Sequence, residues 1–255
     1  MPESKNHVHD QESLVEETTE KLQDATQAET VPPQVSRTRT LAFLGFLIAA
    51  FVAFILLAIL SRTVLYFPID LAISLAFQSL DVLGLAWLMR WISWPGFNPQ
   101  AAIITVALIL LLYASGLRWE ALVTAGTSLA AHSLNLLVKV IVQRPRPSPD
   151  LVEVIRQLAD FSFPSGHVMV YTAFYGFLWF LSYSLLKPSW KRSLLLVVFG
   201  ALVLLVGPSR IYLGHHWASD VLGGHLFGGL ILVTAVLVYR WGKTRFFTGQ
   251  PIGTE

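Results

Sequence analysis

The chain has 255 residues, of which 54% are hydrophobic and 13% charged, with a net charge of +2 and a mean hydropathy of +0.59. Soluble domains carry about 25% charged residues, so this composition excludes an ordinary soluble enzyme and points to one integral membrane domain. No basic stripe interleaved with aromatics accompanies the small positive charge, which argues against nucleic acid as a partner. The absence of cysteine excludes disulfides, thiolate catalysis and cysteine metal sites.

Residues 1–39 are rich in Glu, Gln, Thr and Asp and contain no aromatic residue. Such a stretch cannot bury enough apolar surface to order itself, so a disordered cytoplasmic tail is expected there. Its composition is not that of a cleaved signal peptide. His7 and His9 lie in it without partner ligands and read as incidental.

An integral membrane domain is expected over residues 40–245, followed by a short tail at 246–255. Its spans are predicted at Leu41–Ile59, Ala101–Tyr113, Ala121–Val142, Val168–Leu185, Leu194–Val206 and Val221–Tyr239. A span needs about 20 mostly apolar residues. The fifth reaches that length only by taking in Gly207, Pro208 and part of the motif beyond. The segment Ile69–Trp94 holds Asp70, Gln78, Asp81 and Arg90, with Trp87, Trp91 and Trp94 near its end. It reads as a helix along the interface, with a seventh span as the competing reading. The fold class expected is therefore all-α: a polytopic bundle of six transmembrane helices plus an interfacial helix.

Basic residues orient the bundle. Arg37, Arg39, Arg118, Lys187, Lys191, Arg192, Arg240, Lys243 and Arg245 all fall on the side of the amino terminus. The positive-inside rule makes that side cytoplasmic. The three charged clusters KVIVQRPRP (Lys139–Pro147), FPSGH (Phe163–His167) and SRIYLGHHWASD (Ser209–Asp220) then share the opposite, extracytoplasmic face. Ionisable groups at membrane level are costly and usually mark function.

His216 and Asp220 are four apart, on one face of a helix. Asp220 can fix the tautomer of His216 and leave its other nitrogen free as a nucleophile. The bland alternative is a capping aspartate beside an interfacial histidine. His215 lies outside that register and reads as supporting or structural. His167 follows Pro164, Ser165 and Gly166 at a helix start, where free backbone N–H groups bind anions. A small glycine would let the ligand approach, and His167 would serve as general acid. Lys139, Arg146 and Arg210 supply the positive charge that phosphoryl transfer requires. Arg144 is a further candidate, with anchoring at the outer surface as its plain reading. Pro145 and Pro147 stiffen that stretch and end the third span. His132, Asn135 and His225 are polar residues within spans, for which helix-to-helix hydrogen bonding is the simplest account. LVEVIRQLA (Leu151–Ala159) could form a short amphipathic helix over the site or be a plain connector.

These clusters resemble the three-part signature of the type 2 phosphatidic acid phosphatase (PAP2) family. The first part is matched by Lys139, Arg146 and Pro147, the second by Pro164, Ser165, Gly166 and His167, and the third by Ser209, Arg210, His216 and Asp220. The resemblance implies hydrolysis of a membrane lipid phosphate or diphosphate through a phosphohistidine on His216, oriented by Asp220, with His167 as acid. It implies that Lys139, Arg146, Ser165, Gly166 and Arg210 bind phosphate. Arg144, Pro147, Pro164, Ser209 and His215 would support them. It implies no cofactor and no metal. The partners expected are the lipid substrate and the bilayer. Rival readings are a phosphoryl or head-group transferase with the same site, a catalytically silent lipid-binding protein, and a transporter.

Overall fold

A computed structural model describes residues 33–247, with side chains from residue 37. Residues 1–32 and 248–255, which hold most of both expected tails and His7 and His9, lie outside the described residues. The chain divides into two units, residues 1–48 and 49–255. The described part of the first is the beginning of helix α1 (Pro33–Thr63), which starts inside the boundary expected at residue 39.

The described residues form helices and no strands. After α1 come α2 (Pro68–Gln78), α3 (Leu85–Ser93), a short 3₁₀ turn (Trp94–Gly96), α4 (Gln100–Ala114) and α5 (Arg118–Val142). Then follow α6 (Gly166–Leu185), α7 (Trp190–Tyr212) and α8 (Ala218–Phe246). Five of these, α1, α5, α6, α7 and α8, are long and apolar enough to cross a membrane. They contain the first, third, fourth, fifth and sixth expected spans. As its apolar length required, α7 continues through Gly207 and Pro208 to Tyr212.

The second expected span, α4, has 15 residues, about 22 Å at the helical rise, and is too short alone for a hydrocarbon core of about 30 Å. With the preceding Leu85–Gly96 it forms a pair bent by 61°, and counting that pair as one broken span gives six. The segment Ile69–Trp94 is thus neither one interfacial helix nor a straight seventh span. It divides at Gly84, whose φ of +84° is left-handed backbone that suits glycine. Trp87, Trp91 and Trp94 remain exposed along its second half.

LVEVIRQLA is not helical but a run of turns and bends. Leu151 and Val152 turn back on the Ser148 carbonyl (3.1 and 3.2 Å), and the middle of the segment bonds distant partners. Gln78 donates to the carbonyl of Glu153 (2.7 Å) and accepts from its N–H (3.0 Å), and Ile155 N–H donates to Leu213 O (3.3 Å). Gly214 lies beneath this loop, where a Cβ would stand 2.0 Å from the Glu153 carbonyl.

The core gathers on α6, whose Val168, Met169, Tyr171, Phe174 and Phe177 are buried. It packs closely on α8 because small residues face it: a Cβ on Gly228 would come within 2.7 Å of the Met169 carbonyl. Residues Tyr171–Tyr175 of α6 form a π turn, a local widening frequent beside functional sites. The carboxyl ends of α5 and α7 and the amino ends of α6 and α8 carry the three clusters. Antiparallel connection brings them to one end of the bundle. At the other end, buried Glu120 accepts from Lys243 (2.6 Å) and from the Tyr239 hydroxyl (3.2 Å), tying α5 to α8.

Candidate active site

Asp220 and Asp70 do the same local work on different helices. Each stands in the first turn and accepts the N–H of its helix cap: Asp220 from Trp217 (2.8 Å) on α8, Asp70 from Phe67 (3.1 Å) on α2. Carboxylates suit helix amino ends, where N–H groups are unpaired and the dipole is positive. The plain reading of Asp220 as a helix cap therefore holds, alongside its other contacts.

Arg144 joins the two carboxylates. Its Nη1 donates to Asp220 Oδ1 (2.7 Å) and its Nη2 to Asp70 Oδ2 (2.9 Å), and all three side chains are fully buried. Ser219 completes the network, accepting from Arg144 and donating to Asp70, both at 2.7 Å. Arg144 is thus not a surface anchor. Its Nε donates to the Leu65 carbonyl (3.1 Å), so four of its five N–H donors are taken within the protein and the side chain is fully buried.

His216 faces this network through Nδ1, 3.5 Å from Asp220 Oδ2. That oxygen also accepts the Ser162 hydroxyl. The other nitrogen, Nε2, accepts from Arg146 Nη1 at 3.1 Å. The proton then sits on Nδ1, and the lone pair of Nε2 points into the cavity. Burial, followed by Arg146 and Arg210, holds His216 well below the usual histidine range, so it is neutral. His215 is drawn down to about 3 by burial and by the same two arginines. Its ring nitrogens have no hydrogen-bond partner, and it offers Arg146 only its carbonyl (2.6 Å).

The cavity has a volume of about 350 Å³ and is lined by His167, His216, Lys139, Arg146, Arg210 and Gly166, with an apolar flank from Phe97, Val170 and Phe174. Arg210 is fully buried. One of its nitrogens donates to Ser93 Oγ (3.2 Å), while Nε and Nη2 have no partner. Ser93 in turn bonds Ser209 (2.9 Å), which places Ser209 in support of Arg210. Ser165 Oγ and His167 Nε2 are also buried without a partner. Buried donors are rarely left unpaired, so this group suits an acceptor-rich ligand.

Two expectations change in detail. The backbone N–H of Ser165 donates to the Asp220 carbonyl (3.1 Å), so its hydroxyl is the group left for a ligand. Gly166 is small because of Asn135: a Cβ there would stand 2.9 Å from Asn135 Oδ1. Pro164 offers its carbonyl to Asn135 (3.2 Å), and Pro147 is buried at the outer rim. His225 bonds Thr172 between α8 and α6 (3.0 Å), and Asn135 joins α5 to α6 through Met169 Sδ (3.7 Å). His132 differs, because it bonds only the Ser128 carbonyl of its own helix (2.8 Å) and lines the cavity.

Sequence reasoning missed Ser93, Ser162 and Asp160 and gave Asp70 no role. Asp160 accepts from Lys139 Nζ (2.7 Å) and Arg146 Nη2 (2.6 Å). Lys139 also donates to the Phe161 carbonyl. Half-burial pushes the Asp160 carboxyl up, but the two cations outweigh it and hold it below the usual range. Among the described residues, no three His, Cys, Asp or Glu side chains converge as metal ligands.

Comparison with known proteins falls on this same region. Phosphatidylglycerophosphatase B of Bacillus subtilis is 34% identical over 114 residues, 44% of this chain and 55% of that protein. The chain thus spans about half the length of that relative. Undecaprenyl-diphosphatase BcrC of the same organism is 34% identical over 148 residues, 56% of this chain and 68% of that protein. The crystal structure of a transmembrane PAP2 type phosphatidylglycerolphosphate phosphatase from Bacillus subtilis superposes with a TM-score of 0.66 at 27% identity, covering 78% of this chain and 98% of that one. The family profile described as the PAP2 superfamily matches residues 119–246, a stretch that takes in Lys139, Arg146 and Arg210 and all three histidines that line the cavity. With the signature residues gathered around one cavity in an all-helical membrane protein, the chain belongs to the PAP2 superfamily.

Proposed function

We propose that this integral membrane protein is a lipid phosphate phosphatase, releasing inorganic phosphate from a lipid phosphate monoester or diphosphate. One observation carries the reading. Two buried, unpaired guanidinium nitrogens of Arg210 and the unpaired Nε2 of His167 belong to side chains that line the same cavity as a neutral His216 whose Nε2 lone pair points inward. A tetrahedral anion supplies the missing acceptors and places its phosphorus before that nitrogen.

In this scheme His216 Nε2 attacks phosphorus and the bond to the lipid oxygen breaks. His167 gives that oxygen a proton, and positive charge on the imidazole of His216 is balanced by Asp220. Lys139, Arg146 and Arg210 stabilise charge on the equatorial oxygens, aided by Ser165 and Gly166. Water then attacks the phosphohistidine, with His167 taking its proton. Inorganic phosphate leaves and His216 returns to its neutral state. The scheme uses no metal or cofactor.

The basic residues Arg118, Lys187, Lys191, Arg192, Arg240, Lys243 and Arg245 lie at the bundle end opposite the cavity. By the positive-inside rule that end is cytoplasmic, with both termini, and the cavity opens on the extracytoplasmic face. The apolar flank of the cavity suits a substrate whose tail stays in lipid. The relatives named for phosphatidylglycerophosphate and undecaprenyl diphosphate support that class.

The test is phosphate release by the purified chain in detergent from phosphatidate, phosphatidylglycerol phosphate and undecaprenyl diphosphate. Turnover of at least one is expected. No release from any of them would end the reading.

A further inference from the structure

The carboxylate of Asp160 lies inside the cationic cradle. Its Oδ2 takes Lys139 (2.7 Å) and its Oδ1 takes Arg146 (2.6 Å), so one oxygen meets each of two cations. That is the bridging arrangement a phosphoryl group would make with the same pair. Arg146 is held a second time by the Asp160 backbone carbonyl, at 2.9 Å from Nε. The third cavity cation, Arg210, has no carboxylate partner among the described residues. Arg144, which could have added a fourth, is consumed by Asp70 and Asp220.

Three positive side chains thus face the cavity against one carboxylate that binds two of them. A phosphate monoester brings about two negative charges at neutral pH, and a diphosphate about three. The first matches the charge left uncompensated, and the second exceeds it while Asp160 stays in place. Unlike Asp220, the Asp160 side chain is 58% exposed, so it can swing into water without being stranded as a buried charge. It stands on the loop between Pro147 and Phe163, whose backbone is fixed nearby by the Ser162 N–H to Arg144 carbonyl bond (2.8 Å). The carboxylate is therefore presented to the cradle from a held loop.

We propose that Asp160 is a specificity-determining residue: it competes with the substrate phosphate for Lys139 and Arg146, and so favours lipid phosphate monoesters over diphosphates. This rests on the phosphatase reading above. It differs from a purely structural role, in which Asp160 would only hold Arg146 in place. Removing its charge strengthens anion binding under the first account and weakens it under the second.

The test uses the full chain in detergent with farnesyl phosphate and farnesyl diphosphate, which share one tail. Asp160→Asn keeps the size of the side chain and the backbone bond to Arg146. It is expected to raise kcat/KM for the diphosphate relative to the monophosphate by on the order of tenfold, because one like charge is removed from the site. Inorganic phosphate should also protect Asp160→Asn against thermal unfolding at lower concentration than it protects the wild type. Asp160→Glu, which keeps the charge, should retain the wild-type preference. An unchanged or lowered ratio in Asp160→Asn, or loss of both activities with weaker phosphate protection, would overturn the proposal. If the wild type turns over neither of these nor any of the three lipids named above, the phosphatase reading fails. The protection experiment still decides Asp160, since tighter phosphate binding by Asp160→Asn supports competition and equal or weaker binding refutes it.

Discussion

Arg146 Nη1 stands 3.1 Å from His216 Nε2, in the space that an attacked phosphorus would occupy. The guanidinium is also fastened by the His215 carbonyl and by Asp160. It marks the direction of the histidine lone pair.

His216→Ala should abolish phosphate release from any lipid phosphate the wild type accepts. The expected loss in kcat is about a thousandfold or more, as when other nucleophiles are deleted. Because His216 is buried, His216→Asn serves as a second variant that fills the space. Wild-type turnover by either folded variant would sink the nucleophile assignment.

Arg144→Met should destabilise the protein by about 3–5 kcal/mol, since it strands two buried carboxylates. Thermal melting in detergent measures this. A melting temperature equal to that of wild type would mean that the Asp70–Arg144–Asp220 network adds nothing to stability.

Arg210→Met acts in the opposite sense on folding. It removes a buried guanidinium with two unpaired nitrogens, so stability should hold or rise. Phosphate binding should weaken by about 2 kcal/mol, the worth of a charge-assisted hydrogen bond. Inhibition by inorganic phosphate or vanadate reads this out, and unchanged inhibition would remove Arg210 from the phosphate site.

Stability should fall on acidification. His215 is drawn down to about 3 in the folded protein, by burial first and then by Arg210 and Arg146. Its unfolded value is about 6.5. Between those values the unfolded chain binds more protons, so stability rises with pH and is lost as pH drops through that window. The share of His215 at about pH 5 is about 2 kcal/mol. His216, lowered as well, adds in the same direction. His215→Asn should flatten the dependence of melting temperature on pH, and a variant that keeps the full slope would refute this account.

Sidedness is tested by Ser148→Cys, a position at the cavity end of the bundle in a chain with no other cysteine. A membrane-impermeant thiol reagent should label it from outside intact cells. Labelling only from the cytoplasmic side would reverse the proposed orientation.

The sequence made the cavity residues legible because their chemistry and spacing are local: His216 with Asp220 on one helix turn, Ser165 to His167 at a helix start. Their partners were not legible in the same way. Asp70 meets Arg144 across 74 positions, and nothing near either residue signals the other. Asp160 sits in a loop with no period to read. The apolar spacing of LVEVIRQLA left a short amphipathic helix and a plain connector equally open, and long-range bonds to Gln78 and Leu213 hold its middle as a connector. Spans were legible wherever the apolar run exceeded the bilayer. The bent pair of α3 and α4 was harder, because neither half is long enough to announce itself.

The Arg144 network has a consequence for how such a protein can change over generations. Asp220 is both the partner of His216 and a fastening between α2 and α8, whereas His216 has no such second duty. A descendant that abandons chemistry can discard the histidine and still fold, while Asp70, Arg144 and Asp220 must persist together or be replaced together. Retention of that trio would then be a fossil of the scaffold and no sign of activity.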